Sequence, residues 1–467
     1  MSDLPHLDRR MSDAEGLMWR LEKDPHLSST FANVTILDTK PDVERLRRRM
    51  ERAIQVIPRL RQRVQPAPAN LSAPLWVDDP GFDINYHVRH IALPKPGTMR
   101  QLLDLSALIT HDPFDRTRPL WQFYVIDGLA QGRSALVEKL HHTITDGEGG
   151  VRLSLEFLDF ARDAPEPPAL DADTIAALAD PGPTSSPNDM FRDLFAGSLK
   201  VPLSLLGQIK DLLANPTQIP ATGNAAADAV RSVVSQLTET DRARSPLWTQ
   251  RSLHRRLEVL RAPFDATKGA AKRLGGTLNT AFITAAAHAA SGYHEQMGQP
   301  VDMLRTSMAI STRSKSGGAR TAGGNAFSLA RLLVPTSTMP IAERFMAINE
   351  SIHAAREGTA AGNLDALASF AATLPTSVIT RVARQQAQTI DFATSNVRAS
   401  PIALYVAGAQ ILENYPVGPL AGVAFNLTLL SYMGSLDMGL HVDSAAVEHP
   451  ELLRDLMTAA FKELAVA

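Results

Sequence analysis

The sequence predicts an α+β protein made of two lobes of similar size, with a groove between them. Each half of the 467-residue chain mixes strand-like alternation with helical periodicity, and a stretch rich in Pro, Asp and Ser at 163–189 separates the halves. We therefore predict an N-terminal lobe over residues 1–162, a linker and amphipathic crossover segment over 163–245, and a C-terminal lobe over 246–467.

The composition excludes several classes of protein. Lys and Arg number 47 against 49 Asp and Glu, so no overall basic field is available to hold nucleic acid. The chain has no cysteine, which excludes thiol nucleophiles, thiolate metal sites and disulfides and fits a reducing compartment. The first residues lack an apolar signal core, and no run of about 18 apolar residues occurs. We expect a cytoplasmic protein that does not span a membrane.

The first predicted elements are a strand within 28–38 and a helix that Pro41 opens. Apolar residues recur along that helix at helical spacing, while its other face is basic, with Arg45, Arg47, Arg48, Arg49 and Arg52. This basic face has two interpretations. In the first interpretation it attracts anionic lipid or a ligand phosphate. In the second it is a solvated face with ordinary helical ion pairs such as Glu44–Arg48. We favour the second interpretation.

Residues 118–142 predict a β-hairpin, because two alternating runs flank the turn sequence DGLAQG. His141 and His142 close its second strand and should point to opposite faces. Apolar residues are frequent over 151–160, which predicts a buried helix. The apolar stripe over 190–216, interrupted at Pro202, predicts a segment that packs on the body of the protein or lies in a lipid interface.

The second half repeats the mixture of strands and helices. Alternation predicts a strand near 255–259, two strands around a basic Gly/Ser loop within 303–335, and further strands over 402–412, 421–431 and 431–443. An Ala-rich stretch predicts a buried helix over 277–294, and helical patterns cover 341–356 and 375–388. Pro450 opens a last amphipathic helix.

The segment EKLHHTITDGEGG (138–150) holds the strongest functional signal, and it has three interpretations. A zinc site is disfavoured, because neighbouring histidines on a strand point apart and no further ligand spacing follows. A structural histidine followed by an Asp146-Gly147 turn is the second. The third is general-base catalysis, in which one histidine at the strand end takes a proton from an acceptor group. Asp146 would then hold the turn, and Gly147 would let the backbone fold back beneath the imidazole.

HHTITDG matches the HHxxxDG signature of CoA-dependent acyltransferases. More of the chain resembles one branch of them, the bacterial wax ester synthase/diacylglycerol acyltransferase family. The segments that carry this resemblance are DAEGLMWRLE (13–22), IPRLRQRV (57–64), DPFDRTRPLW (112–121), AISTRS (309–314), GGN (323–325), TSNV (394–397) and SYMGSLDMGLHVD (431–443). The resemblance covers about residues 10–465.

The resemblance implies two chloramphenicol-acetyltransferase-like lobes with an active-site tunnel at their interface. His142 would be the general base, and His141 and Asp146 would support its geometry. It would deprotonate a lipid hydroxyl that attacks the acyl-CoA thioester directly, with acyl-CoA as co-substrate and no cofactor or metal. Candidates for the oxyanion or substrate contacts are Asn279, Ser395 and Asn396. Pro119, Leu120 and Trp121 would form the structural motif of the family.

Two departures from the family pattern affect the expected specificity. Thr280 follows Asn279 where the family usually has an acidic residue, and Arg398 and Ala399 replace a Pro-Gly turn. Because HHxxxDG is intact, we expect changes in substrate choice and rate rather than in the chemistry. The loop after Asn396 should take a different path.

We expect an O-acyltransferase that converts diacylglycerol and acyl-CoA to triacylglycerol. Wax ester synthesis from long-chain alcohols, transfer to another lipid alcohol, a lipid-binding protein without turnover, and a condensation domain served by a carrier protein are the alternatives. A lipid product implies peripheral contact with the inner membrane face or with lipid droplets, and 190–216 is the candidate segment.

Overall fold

The computed structural model of the chain describes residues 9–66, 73–145, 150, 153–168, 170, 243–311, 327–358 and 376–467. Its helices are α1 (Asp13–Leu21), α2 (Val43–Val56), α3 (Ile84–His87), α4 (Met99–His111), α5 (Phe264–Arg273), α6 (Leu278–Gln296), α7 (Ile341–Gly358), α8 (Thr376–Ala387) and α9 (Pro450–Val466). Its strands are β1 (Thr30–Leu37), β2 (Gln62–Gln65), β3 (Leu75–Asp78), β4 (Val88–Ala92), β5 (Trp121–Leu129), β6 (Arg133–His141), β7 (Leu158–Asp159), β8 (Arg255–Pro263), β9 (Met303–Ser311), β10 (Phe327–Pro335), β11 (Phe392–Arg398), β12 (Tyr405–Val406), β13 (Ala409–Val417), β14 (Phe425–Tyr432) and β15 (Ser435–Asp443).

The first sheet, within the described residues, has seven strands in the order β4-β5-β6-β1-β13-β12-β7. Strands β5 and β6 form the predicted hairpin, with Trp121 opposite Leu140. Strand β1 lies antiparallel on the other side of β6, with Thr30 opposite His141. The end of β6 that carries the histidines is therefore held between two neighbouring strands.

The second sheet, counted over the same residues, has six strands in the order β10-β9-β11-β14-β15-β8. Helix α6 packs against α9, α7 and α5 on one face of this sheet. The α6 helix begins at the Thr277 N-cap, whose hydroxyl accepts the Thr280 N–H at 3.2 Å. Most of its side chains are buried, as its alanine content predicts, so neighbouring helices approach closely.

A hairpin from the second half of the chain belongs to the first sheet. Strand β13 pairs antiparallel with β1, placing Tyr415 opposite Val34, and β12 continues the sheet beside it. The sheets also approach closely, because a Cβ on Gly439 of β15 would lie 2.0 Å from the carbonyl oxygen of Pro416. The second half of the chain thus contributes strands to the first sheet, which a division at residue 246 does not describe. The predicted lobe boundaries stay a prediction.

The predicted single strand over 402–412 is wrong, because the backbone turns at its centre. Ala407 and Gly408 adopt positive φ angles of 45° and 88° and separate β12 from β13. The predicted buried helix over 151–160 is helical at residues 153–154, but the rest of its described part is not. Residues 158–159 form β7, which pairs with β12. Leu155 and Phe160 are 54% and 67% exposed.

The basic face of α2 is solvated only in part, because Arg48 is exposed while the other arginines are largely covered. Arg45 and Arg49 both bind the buried Asp159 carboxylate, and three further pairs are Arg52–Glu156, Arg48–Glu166 and Arg47–Glu44. The predicted Glu44–Arg48 pair is therefore wrong. Three acidic side chains of the 156–166 segment bind four of these arginines, which is a contact between distant parts of the chain, whereas Arg47 pairs within α2.

Candidate active site

The end of β6 is fixed from both sides by backbone hydrogen bonds. The His141 N–H donates to the Leu120 carbonyl at 3.1 Å, on the β5 side. The His142 N–H donates to the Ser29 carbonyl at 3.1 Å, on the β1 side. Consecutive residues that bond to opposite neighbours direct their side chains to opposite faces. The predicted divergence of the two rings is confirmed.

His141 is buried, with 1% exposure, and its ring contacts a carboxylate. Its Nε2 lies 3.0 Å from a carboxylate oxygen of Glu22, and its Nδ1 accepts the Thr143 N–H at 3.1 Å. Because Nδ1 is an acceptor, the neutral imidazole carries its proton on Nε2 and donates it to Glu22. This network fixes both the tautomer and the orientation of the ring.

Glu22 is a site residue that sequence reasoning missed. Its carboxylate accepts hydrogen bonds from the Ser28 hydroxyl at 2.6 Å, the Ser29 N–H at 2.7 Å and His141. Burial alone would raise the pKa of this carboxyl, but the hydrogen bonds from His141, Ser28 and Ser29 outweigh burial and lower the pKa below its ordinary value. Its place at the end of DAEGLMWRLE was the only sequence signal, and that segment indicated the family rather than a role.

Glu22 also supports His142 through the backbone. Ser29 donates its N–H to Glu22 and accepts the His142 N–H on its carbonyl. The same carboxylate therefore orients His141 directly and locates His142 through one residue, Ser29. His142 itself is half-buried and its ring packs on Phe31, with centroids 4.6 Å apart. A half-buried imidazole on a fixed strand end can reach a substrate hydroxyl.

The Pro119-Leu120-Trp121 motif holds the hairpin beneath the histidines. The Leu120 carbonyl accepts the His141 N–H, and the buried Trp121 ring donates its Nε1–H to the Leu60 carbonyl at 2.7 Å. His87 stacks on Trp121 and hydrogen-bonds to its carbonyl through Nδ1, at 2.7 Å. The motif thus contributes backbone and packing contacts near the site, as a structural motif should.

The candidates from the second half of the chain do not share one face. Ser395 pairs with Thr428, and the next pair on that face is Val397 with Leu430. Leu430 packs with the first-lobe core, so Ser395 faces the first lobe and the exposed Asn396 lies on the opposite face. Asn279 donates its amide to the Met308 sulfur at 2.8 Å, within the second-lobe core. Of the three, Ser395 alone is on the interlobe face.

The two departures from the family pattern have different surroundings. Thr280 is buried and its hydroxyl donates to Asn349 at 3.0 Å while its N–H completes the α6 cap. It therefore stabilises the start of a helix. Arg398 is exposed at the end of β11, and the Ala399 N–H donates to the Ser431 carbonyl at 3.3 Å, so the chain stays along β14 there.

Two predicted residues, Asp146 and Gly147, lie outside the described residues, as do GGN (323–325) and the 190–216 stripe. Across the described ranges, no group of three His, Asp or Glu side chains is placed to hold a metal ion. In those ranges no helix is long and apolar enough to cross a membrane.

Two mixed sheets, the first of which includes strands from the second half of the chain, together with an HHxxxDG histidine at a strand end, define a two-lobed acyltransferase of the CoA-dependent type. Residues 11–282 match the model for the wax ester synthase/diacylglycerol acyltransferase catalytic domain, and residues 323–465 match the WS/DGAT C-terminal domain. The chain belongs to this family, which confirms the resemblance stated from its motifs.

Relatives and solved structures extend along the whole chain. A provisionally named diacylglycerol O-acyltransferase of Mycobacterium tuberculosis is 32% identical over 98% of this chain and 92% of its own length. The wax ester synthase/diacylglycerol acyltransferase of Marinobacter aquaeolei superposes with a TM-score of 0.64 at 20% identity, covering 98% of this chain and 99% of that one. The first condensation domain of the calcium-dependent antibiotic synthetase superposes with a TM-score of 0.57 at 13% identity, covering 99% and 97%. These structures confirm the predicted fold class.

Proposed function

We propose that the protein transfers a long-chain acyl group from CoA to the hydroxyl of diacylglycerol, giving triacylglycerol, with His142 as the general base. The observation that carries this proposal is the half-buried His142 ring on a strand end that Glu22 and His141 hold in place. The provisional names of the relatives favour diacylglycerol over a long-chain alcohol as the acceptor.

In the proposed reaction a nitrogen of the His142 imidazole takes the proton of the acceptor hydroxyl. The oxygen then attacks the thioester carbon, and the C–S bond breaks as the tetrahedral intermediate collapses. The imidazolium returns the proton to the departing CoA thiolate. The transfer is direct, so no acyl-enzyme forms, and acyl-CoA is a co-substrate with no further cofactor needed. A positioned base of this kind contributes about 10²–10⁴-fold to the rate.

Ser395 is the candidate we retain for contact with substrate or oxyanion. Its position on the interlobe face of β11 supports this assignment, whereas Asn279 and Asn396 lie on the other side of the second sheet. The Ser395→Ala variant should lose activity without losing stability if the hydroxyl contacts the reacting groups.

The test is the release of free CoA by purified protein given palmitoyl-CoA with diolein or with hexadecanol. The variant His142→Ala should lower kcat by at least about 10²-fold. The matched control is His90→Ala, because His90 is a partly exposed histidine of the same sheet that pairs with Asp127 at 2.7 Å, away from the strand end. The control should keep wild-type kcat.

Each result has a distinct meaning. Faster release with diolein, lost in His142→Ala, supports the proposal. A preference for hexadecanol would move the acceptor to long-chain alcohols. Binding of palmitoyl-CoA without any release above the level of the variant would indicate a lipid-binding protein.

We further propose that the protein works at the surface of a membrane or lipid droplet through residues 190–216, since its substrate and product are lipids. The α2 arginines are held by acidic side chains, so they are poor candidates for this contact. Flotation with anionic vesicles tests the idea. Replacing apolar residues of 190–216 by Asp should abolish flotation, and undiminished flotation would refute it.

A further inference from the structure

Arg116 connects two segments that support His141. It lies in the segment that leads from α4 to β5, where Leu120 provides the carbonyl that accepts the His141 N–H. Its guanidinium reaches the end of α1, the helix that directly precedes Glu22. Glu22 in turn binds the His141 ring. One side chain therefore connects the backbone support of this histidine with its carboxylate support.

The last turn of α1 leaves one carbonyl for Arg116. The other three of the last four carbonyls accept backbone N–H groups of the residues that follow, Glu22, Lys23 and Asp24, at 3.0, 3.4 and 2.9 Å. The Trp19 carbonyl accepts a hydrogen bond from the Arg116 guanidinium instead, at 2.9 Å. The last carbonyls of a helix lack helical partners, so this side-chain donor completes the hydrogen bonding of the turn.

The same guanidinium covers the Trp19 ring. Its central carbon lies 3.5 Å from the ring centroid, which is the geometry of a cation–π contact, and Trp19 is buried. A guanidinium is planar, so stacking on a ring and donating to the carbonyl of the same residue fix both its position and its direction. Arg116 therefore holds the end of α1 by two contacts with one residue.

The backbone around Arg116 is itself fixed by a turn. The Asp115 carboxylate accepts the Thr117 N–H at 2.9 Å and the Thr117 hydroxyl at 2.7 Å, and the Asp115 carbonyl accepts the Arg118 N–H at 3.2 Å. An aspartate that binds the backbone two residues on restricts the chain between them. The Arg116 side chain therefore starts from a defined position.

Arg116 and Glu22 also interact through their charges. Burial lowers the pKa of Arg116, and the nearby Glu22 carboxylate opposes that lowering. The attraction is mutual, so the charge of Arg116 favours the ionised form of Glu22, which accepts the His141 Nε2–H. An ionised acceptor forms a hydrogen bond roughly twice as strong as a neutral one. Arg116 thus acts on the carboxylate by its charge as well as by its contact with α1.

We propose that Arg116 is a positioning residue for the histidine pair, which holds the end of α1 so that Glu22 stays bound to His141 and Ser29. Its effect on His142 passes through Glu22 and through Ser29, whose carbonyl accepts the His142 N–H. A residue with this role changes the geometry of the base rather than the binding of substrate, so it changes kcat rather than KM. This inference rests on the proposed function.

The test measures CoA release from palmitoyl-CoA with diolein by variants of Arg116. Arg116→Met keeps an apolar chain over Trp19 and removes the donor and the charge, so kcat should fall about tenfold with KM for palmitoyl-CoA unchanged. Arg116→Lys keeps a charged donor and should stay within about threefold of wild type. Equal losses of kcat in the two variants, or a raised KM with wild-type kcat, would overturn the positioning role.

A second background separates an effect through Glu22 from a general loss of stability. If Arg116 acts through the carboxylate, Arg116→Met in the Glu22→Gln protein should lower kcat by no more than about threefold further. Independent effects multiply, so a further fall of about tenfold would overturn the inference. Thermal melting checks that each variant folds. If Arg116→Met is unfolded at the assay temperature, Arg116→Gln takes its place and should show a smaller fall in kcat, since it keeps a neutral donor.

The matched control is Arg118→Met, the same change two residues along the segment. Arg118 stacks on the Tyr86 ring, 4.3 Å from its centroid, and pairs with Asp115 at 3.5 Å. Because these contacts lie away from α1, the control should keep wild-type kcat in both backgrounds. A fall as large as that of Arg116→Met would overturn the inference, because any arginine of the segment would then have the effect.

Failure of the proposed function gives a different result. If the wild-type protein releases no CoA, NMR of protein labelled with ¹⁵N-histidine still measures the contact of Glu22 with His141, through the exchange of the Nε2 proton with water. The signal is assigned by its loss in His141→Asn. Exchange about tenfold faster in Arg116→Met, with the wild-type rate in Arg118→Met, supports the inference without turnover. Unchanged exchange in Arg116→Met overturns it.

Discussion

Replacing Glu22 by glutamine tests whether this carboxylate positions the histidine pair. Glu22→Gln keeps the size of the side chain and removes its charge. One carboxylate oxygen accepts both the His141 Nε2–H and the Ser29 N–H, while the other accepts the Ser28 hydroxyl. If the amide NH₂ of the glutamine took the position of the oxygen that binds His141 and Ser29, it would oppose two N–H donors. If it took the position of the oxygen that binds Ser28, His141 would have a neutral acceptor instead of a charged one.

The expected size of the effect follows from these contacts. Hydrogen bonds to charged groups contribute about 1.5–3 kcal/mol, roughly twice the neutral value. Ser29 transmits any displacement to the His142 backbone, and a shift of about 1 Å at a catalytic group costs up to 10²-fold. We expect kcat for CoA release to fall by about 10–10²-fold, with KM for palmitoyl-CoA unchanged, because Glu22 lies away from the proposed substrate contacts.

The control for Glu22→Gln is Asp159→Asn, another buried carboxylate of the first lobe. Asp159 binds Arg45 and Arg49 and has no contact with the histidines, so the Asn variant should have lower stability but unchanged kcat of the folded enzyme.

The contribution of Glu22 to stability should also depend on pH. The pKa of Glu22 is lowered on folding, so its contribution is present above its ordinary pKa and disappears as pH falls through the folded value. Wild-type kcat in Glu22→Gln would refute the positioning role.

Three further predictions concern stability. Gly439→Ala places a methyl group 2.0 Å from the Pro416 carbonyl oxygen and should cost about 3 kcal/mol of unfolding free energy in denaturant titrations. Trp121→Phe removes the indole N–H donor from a buried carbonyl and should cost about 1–3 kcal/mol, seen as a lower Tm. Burial lowers the pKa of His441 and of His87 from 6.5 to about 4. As the pH falls, each histidine is therefore protonated in the unfolded chain before it is protonated in the folded protein. The unfolding free energy should therefore fall by about 3 kcal/mol per histidine between pH 6.5 and 4, and His441→Leu should flatten that slope.

Most single elements could be predicted from the sequence because their signals are local. The hairpin over 118–142 follows from two alternating runs around a glycine turn, and the α6 helix from an alanine-rich stretch. The divergence of His141 and His142 follows from the period of a strand alone. Each of these depends on residues within one element.

The features that sequence reasoning missed depend on contacts between distant residues. Asp159 lies beside Arg45 where β7 pairs with β12, and β7 occupies the end of the segment predicted as a helix. Glu22 becomes a site residue because the chain returns from residue 22 to 30 under the end of β6, which no spacing reveals. The pairing of β13 with β1 cannot be predicted from alternation, since alternation does not specify a partner.

The position of Glu22 couples the histidine pair to both lobes. Two residues before it, Arg20 donates to the Thr376 hydroxyl at the start of α8, and two residues after it Asp24 pairs with Arg384 of the same helix at 2.8 Å. The segment around Glu22 is thus bound to α8 on both sides of Glu22, while the Glu22 side chain itself binds His141 of the first sheet. A movement of α8 relative to β6 must therefore either break the Arg20–Thr376 and Asp24–Arg384 contacts or shift the Glu22 carboxylate. The geometry of His142, the proposed base, consequently depends on how α8 packs against the segment around Glu22.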